Sequence, residues 1–313
     1  MIVGRVRRTL RERGLLEGGE GVLVACSGGA DSGAMLHVLA HLAEALRLRV
    51  ESATVDHRLR PDADSDVAVA RAQAARAGVP MHVLTVTVSG EGGVQAAARR
   101  ARYAALREVM EGRGLARLAV GHTMDDQAET ALGRVLRGAG IRGLGGVQPS
   151  RADGVIRPMI DCRRADLRDW VVRQGWPFVD DPSNDDLRFA RVRLRQRVLP
   201  RLQEEDPQVI PHLGRLADEA RALTAWLERA ATEARRDVAA GGGLRREALA
   251  LHPEPVRREV LRQWLGRAAR SHLEALDRLV VEGKGEVRIQ GPRIVFADDS
   301  GVLRIDSTSG RTG

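Results

Sequence analysis

Two short stretches of the 313-residue chain hold side chains whose types and spacing suit chemistry. The first is Ser27-Gly28-Gly29-Ala30-Asp31-Ser32, directly after the apolar run 22–25. Glycines let the backbone close on an anion, and a helix start aims free N–H groups at it. Ser27 and Ser32 add hydroxyl donors, and Asp31 could hold a divalent cation. A plain strand–turn–helix junction, with Asp31 or Ser32 as N-cap, fits the same residues. The second stretch is Gly121-His122-Thr123-Met124-Asp125-Asp126-Gln127-Ala128-Glu129-Thr130. Asp126 and Glu129 are three apart and share one helical face. With His122 they could bind an ammonium group or magnesium, or take a proton from an amine. Thr123 and Asp126 also fit a capping box, and acids in a first turn suit the helix dipole. Capping leaves the remaining acid and the histidine without a task, which favours function.

Such residues need a scaffold that gathers them. Residues 22–25 read as a buried strand, and Ala34, Leu36, Leu39, Leu42 and Leu46 repeat at helical spacing behind them. A basic amphipathic helix precedes this unit, up to about Arg13. A strand over 50–55 ends in Asp56-His57-Arg58-Leu59-Arg60, and 62–78 is helical. Strand 81–88, helix 93–112, strand 118–120 and helix 124–137 follow, the last stopping at Gly138. This alternation predicts an α/β fold, a parallel doubly wound sheet covered on both faces. Ligands of such sheets bind beyond the strands' carboxyl ends. Cys26-Ser27, Asp56-His57 and Gly121-His122 all stand there.

Beyond this, the prolines between 200 and 211 read as a linker, which places a boundary near 205. Residues 1–205 then form the catalytic domain, and 206–313 a smaller α+β domain. Its expected parts are a helix over 212–238, a break at Gly241-Gly242-Gly243, and helices over 256–269 and 272–281. A hairpin of 287–289 and 293–296 turning through Gly291-Pro292, and a third strand at 302–305, complete it.

Composition narrows the chemistry. All but one of the 50 basic residues are arginine, and the one lysine is Lys284. A Walker A loop and a protein kinase each need a lysine well before that point. The formal charge of +8 favours a polyanionic partner, with solvated arginine-rich faces as the plain alternative. The dense run Arg188, Arg191, Arg193, Arg195, Arg197 and Arg201 reads as a phosphate-contacting surface or as a surface helix. Aromatics are only 3%, too few for base stacking to be the general mode of RNA binding, and Trp170 and Trp176 are assigned to the core. Cys26 and Cys162 allow neither a disulfide framework nor a CxxC metal site. No apolar signal core or membrane-length run is present, so a cytoplasmic protein without membrane contact is expected.

The Ser-Gly-Gly-Xaa-Asp-Ser loop resembles the pyrophosphate (PP) loop of N-type ATP pyrophosphatases, whose fold is the adenine nucleotide alpha hydrolase type. Further motifs follow in series: Val55–Arg60, Ala98-Arg-Arg-Ala-Arg-Tyr103, Gly121–Thr130, Arg137-Gly-Ala-Gly-Ile-Arg-Gly-Leu144 and Asp181-Pro-Ser-Asn184. Together, over about residues 20–201, they resemble the bacterial tRNA(Ile)-lysidine synthases. The resemblance departs at Val192, within Arg191-Val-Arg-Leu-Arg195, where the family usually has asparagine.

The resemblance implies an ATP-dependent ligase. It would adenylate the wobble cytidine of a CAU anticodon and then join lysine to its C2. That changes codon reading from AUG to AUA and charging from methionine to isoleucine. It implies ATP and Mg2+ as cofactors, and tRNA(Ile) and free L-lysine as partners; a homodimer is one option for the assembly. Ser27, Gly28, Gly29, Ala30, Asp31, Ser32, Asp56 and His57 would bind the nucleotide, with Asp31 on the metal. Asp126 and Glu129 would hold the lysine, with His122 near the adenylate or in proton transfer. Arg102 and Arg193 would neutralise phosphate charge, and Arg191, Arg195 and Arg197 would meet tRNA. The C-terminal domain would add tRNA contacts. A PP-loop tRNA thiolase would need cysteines to carry sulfur, which two isolated cysteines support poorly. A regulator that merely holds ATP would leave the carboxylate cluster unused.

Overall fold

The computed structural model describes residues 2–56, 63–87, 93–180, 186–266, 268–289 and 293–307. The expectations for His57, the rest of 57–60, the Asp181-Pro-Ser-Asn184 motif and the 291–292 turn lie outside these residues. The chain divides into two units, Met1–Asp218 and Glu219–Gly313.

The first unit is built on five parallel strands: β1 (Gly21–Ala25), β2 (Arg49–Asp56), β3 (Met81–Thr85), β4 (Arg117–Ala119) and β5 (Val155–Ile156). Their spatial order is β3-β2-β1-β4-β5. Helices α1 (Ile2–Glu12), α2 (Ala30–Leu46), α3 (Ala63–Ala77), α4 (Val94–Arg113), α5 (Met124–Val135), α6 (Ile141–Leu144) and α7 (Arg164–Arg173) connect and cover them. β1 shows why both faces must be covered. Val22 and Val24 pack with Ala34, Met35, Val38 and Leu39 of α2. Leu23, between them, packs with Leu106 and Met110 of α4 and Leu118 of β4. Alternate residues of one strand thus enter two cores, each buried side chain contributing about 1.5–3 kcal/mol. Trp176 is buried in the first core, and Trp170 packs against it.

A polar network pins β2 to β3 and to the end of α4. Glu51 accepts from Arg113 (3.0 and 3.2 Å) and is paired with His82 Nε2 (2.7 Å). Burial alone would raise this carboxyl, but Arg113 and His82 overcome that and hold it below its usual range.

After α8 (Ala190–Arg193), a five-residue π-helical turn, Leu194–Val198, leads into α9 (Leu199–Glu205) and α10 (Val209–Val238). The stretch expected to be a linker is therefore helical. Leu199 and Ile210 are buried with Ala128 of α5, and Met124 and Leu213 pack beside them. This packing keeps 199–213 in the first unit, so the division falls at Asp218 and not near 205.

The second unit has an antiparallel sheet, ordered β6-β7-β10-β9-β8, of β6 (Ala239–Ala240), β7 (Gly243–Arg245), β8 (Glu286–Arg288), β9 (Arg293–Ala297) and β10 (Val302–Ser307). β8 and β9 pair with Val287 opposite Val295. Val295 and Leu303 are buried with residues of α11 (Arg246–Ala250), α12 (Glu254–Leu265) and α13 (Arg270–Glu282). Among the described residues no helix is long and apolar enough to cross a membrane.

Candidate active site

The phosphate loop leaves β1 and enters α2 through Gly28, at φ +82, and Gly29, the helix N-cap. A Cβ on Gly28 would stand 2.9 Å from the Asp66 carbonyl oxygen, so only glycine fits there. Ser32 Oγ accepts from the Ser27 N–H (3.1 Å) and donates to the Gly29 carbonyl (3.0 Å), which braces the loop from inside. Beneath it lies Gln73 of α3, fully buried. Its Nε2 donates to the carbonyls of Gly28 (3.1 Å) and Pro177 (2.7 Å), and its Oε1 accepts from Cys26 Sγ (3.1 Å). Cys26 is thereby a loop support, and burial raises its thiol, so it is not a thiolate.

Asp31 sits in the first turn of α2. Burial pushes its carboxyl up to about 6, although Arg164 pulls the other way. Its Oδ1 is buried without a hydrogen-bond partner, while Oδ2 accepts from Arg164 Nε (3.3 Å). A lone buried carboxylate oxygen beside a phosphate loop suits magnesium, which usually takes one or two carboxylates plus substrate phosphates. The residues present fit that ion, and Asp31 would hold it.

Asp126 both caps and reaches out. Its Oδ2 accepts from the Thr123 N–H (2.7 Å) and the Thr123 hydroxyl (3.0 Å), the expected capping box. Its Oδ1 accepts from Arg164 Nη2 (2.7 Å) and Arg191 Nη2 (2.6 Å). Glu129, one helical turn on, accepts from Arg164 (3.1 Å), Arg191 (2.7 Å) and Arg195 (2.7 and 3.1 Å). Burial alone would raise both carboxyls. The guanidinium groups overcome it and hold both below the usual range, so both are ionised at neutral pH. Asp125 faces a different task. It accepts from the Arg164 backbone N–H (2.7 Å) and from Arg163 (3.2 Å), which ties the start of α7 to α5.

His122 is pushed down to about 4, first by burial and then by the cations of Arg157, Arg191 and Arg99, against the pull of Asp126. It is neutral at pH 7. Arg157 Nε donates to its Nδ1 (3.3 Å), and a guanidinium has no lone pair to accept with. The imidazole proton therefore sits on Nε2, which makes His122 a donor and a weak base.

Asp31, His122, Asp126 and Glu129 thus come together as the sequence expected. Arg191 and Arg195, expected to meet RNA, lie against Glu129 and Asp126 while their side chains stay 46% and 25% exposed. α8 and the π turn that carry them pack on α5, where Leu194 lies beside Gly133. Arg102 is exposed on α4, and Arg197 is exposed in the π turn. Arg193 is exposed and donates to the carbonyls of Leu187 (2.9 Å) and Arg188 (2.7 Å). Asp56 ends β2, where its carbonyl accepts from Val86 N–H (3.0 Å). Val192 is buried, the place of an apolar side chain. Gln73, Arg157, Arg163 and Arg164 adjoin these residues, and no local pattern announced them beyond the doubled cation Arg163-Arg164 at the start of a helix.

Known proteins bear on this geometry directly. The profile described as "PP-loop domain" matches residues 4–202. The tRNA(Ile)-lysidine synthase of Mycolicibacterium paratuberculosis is 41% identical over 296 residues, covering 90% of this chain and 89% of its own. That of Salinispora tropica is 42% identical over 280 residues, covering 85% and 84%. The chain belongs to the tRNA(Ile)-lysidine synthase family. As a member of it, the chain is an ATP-binding ligase of the PP-loop type. A solved structure, the U34-tRNA thiolase NcsA of Methanococcus maripaludis with its [4Fe-4S] cluster, shares the fold at TM-score 0.60. It is only 16% identical and covers 70% of this chain and 76% of its own. That likeness reaches the fold and not the chemistry. The described parts of the lysidine synthase motifs and the arginine–carboxylate cluster lie in the first unit.

Proposed function

We propose that the enzyme ligates free lysine to C2 of the wobble cytidine of tRNA(Ile) with a CAU anticodon, through an adenylated cytidine. The observation that carries this reading is the fork of Arg164, which joins Asp31 of the phosphate loop to Asp126 and Glu129 in one cluster. Nucleotide and amine chemistry thereby become neighbours.

In the first step the cytidine O2 attacks the α-phosphorus, and the bond from α-phosphorus to the bridging oxygen breaks as pyrophosphate leaves. Backbone N–H groups of the loop and of the first turn of α2, with the Ser27 and Ser32 hydroxyls, hold the phosphates. Magnesium on Asp31, when bound, would supply charge stabilisation to the leaving pyrophosphate. His122 offers its Nε2–H to developing negative charge near the adenylate. Arg102 and Arg193 are the exposed cations proposed to neutralise phosphate, and Asp56 and His57 to line the nucleotide.

In the second step the lysine ε-amine attacks C2, a C–N bond forms, and the C2–O bond to AMP breaks. In water that amine has a pKa of about 10.4. Asp126 and Glu129 are held below the usual carboxylate range and are weak bases, so they suit seating the ammonium better than taking its proton, which passes to water before the free amine attacks. Arg197 and the second unit are proposed to add tRNA contacts.

The test is labelled lysine incorporation into a CAU-anticodon tRNA(Ile) transcript with ATP and magnesium, beside an elongator tRNA(Met). Label in the first alone is expected. Glu129→Gln should release pyrophosphate normally yet slow lysine transfer roughly a hundredfold, the usual order for losing one preorganised charge partner. Label in neither RNA, with ATP still bound, would sink the proposal.

A further inference from the structure

The seat proposed for the lysine ammonium is already filled. Three guanidinium groups, those of Arg164, Arg191 and Arg195, meet the two carboxylates of Asp126 and Glu129 at 2.6–3.1 Å. The Glu129 side chain is 0% exposed and that of Asp126 9%. An incoming ammonium would add a fourth cation to a cluster in which three arginines already match the three acids Asp31, Asp126 and Glu129, and it would have to displace charge-assisted forks that are stronger than ordinary hydrogen bonds.

The same three arginines are what a polyanion would attract. Arg191 remains 46% exposed at its side chain, and it lies in a run that also presents Arg188, Arg193 and Arg197 to solvent. Arg164 is shared with Asp31, so a phosphate arriving at the loop competes for it directly. The π-helical turn under Arg195 holds an i→i+5 register, a local irregularity frequent at functional sites. A guanidinium fork matches a phosphate as well as it matches a carboxylate.

We propose that Arg164, Arg191 and Arg195 are gatekeepers of the amine seat. They occupy Asp126 and Glu129 until phosphates of ATP and RNA draw guanidinium groups away, so lysine binds only after both polyanions. This rests on the assignment of Asp126 and Glu129 to the lysine ammonium. It makes the three arginines determinants of binding order, and it keeps free amines out of the site before an activated cytidine exists.

Equilibrium dialysis of labelled lysine against the full chain tests it. The four arms are protein alone, protein with magnesium and an ATP analogue carrying methylene between the α- and β-phosphorus, protein with the tRNA transcript, and protein with both. Lysine should bind at least about tenfold tighter with both than with neither, within the usual span of coupling between sites. Arg195→Gln, which leaves Arg164 and Arg191 in place, should raise lysine affinity in the protein-alone arm and shrink the coupling. Arg195→Lys, which keeps the charge but not the fork, should fall between, and it serves if the glutamine variant fails to fold. Equal lysine affinity in all four arms, or unchanged coupling in the variants, overturns the gate. Lysine transfer to RNA with unordered binding overturns the gate alone, whereas lysine binding in no arm overturns the functional reading with it.

Discussion

Asp31→Asn should stabilise the fold while it disables the enzyme. The Asp31 carboxyl is raised from an ordinary 3.8 to about 6. Ionising it in the folded chain therefore costs about 3 kcal/mol more than in the unfolded one. A folded-state pKa above the unfolded value means stability that is complete below pH 3.8 and is lost as pH rises through about 6. Asparagine copies the neutral carboxyl in shape and never makes that loss. The variant's advantage should be about 3 kcal/mol at pH 8 and about half that at pH 5. For a unit of this size that is roughly a 6–12 °C rise in Tm at pH 8. Thermal melts of both proteins from pH 5 to 8 would measure it, with and without magnesium and ATP. Wild-type protein should gain Tm from magnesium–ATP, and the variant should gain little and form no adenylate. A variant no more stable than wild type at pH 8, or an advantage that does not grow with pH, would refute the argument. It would mean that Arg164, 3.3 Å away, already compensates the buried charge.

Three further outcomes follow from the same structure. Gln73→Leu leaves the Pro177 carbonyl without its 2.7 Å donor beneath the phosphate loop; it should cost about 1–3 kcal/mol and raise the KM for ATP, and an unchanged KM would remove Gln73 from loop support. Arg157→Leu should move the His122 titration upward from about 4, while burial keeps it below the ordinary 6.5. Imidazole 15N spectra should then lose the single Nε2–H form, and an unchanged spectrum would show that Arg157 does not set it. Glu51→Gln should cost about 1.5–3 kcal/mol at pH 7 through its bonds to Arg113 and His82. Because that carboxyl is lowered in the fold, its contribution is present above the ordinary 4.5 and lost as pH falls, so denaturation curves of the two proteins should converge in acid.

The parts of the site legible in the sequence are those that local physics decides. Val22 to Ser32 names its own strand, turn and helix start, since glycine spacing and apolar periodicity act within a dozen residues. The capping box at Thr123 and Asp126 is local too, and it formed as read. The two carboxylates then proved to have more than one task each: Asp126 spends one oxygen on the cap and offers the other to arginines. No local pattern reveals which arginines. Arg164 reaches Asp31 and Glu129 only because α7 starts beside α5, a placement fixed by Asp125 and by Leu167 and Val171 in the core. β5, two residues long, is likewise invisible until β4 pairs with it.

The arginine run 188–201 shows the limit most sharply. Composition can say that such a run seeks anions, and it cannot say whose. The chain supplies two of its own, Asp126 and Glu129, within reach of the π turn, and under the proposed gate these compete with the RNA for the same guanidinium groups. That competition makes the charge count consequential. With the polyanions absent, three arginines hold Asp126 and Glu129, and one of them, Arg164, holds Asp31 as well. With phosphate present, the proposed gate gives the same cations better-exposed partners and makes the acids available to an amine. A chain with a single lysine of its own, at position 284, uses arginine for this work. An arginine remains charged at every working pH and forks onto either anion, so the exchange is governed by which anion is present and not by protonation.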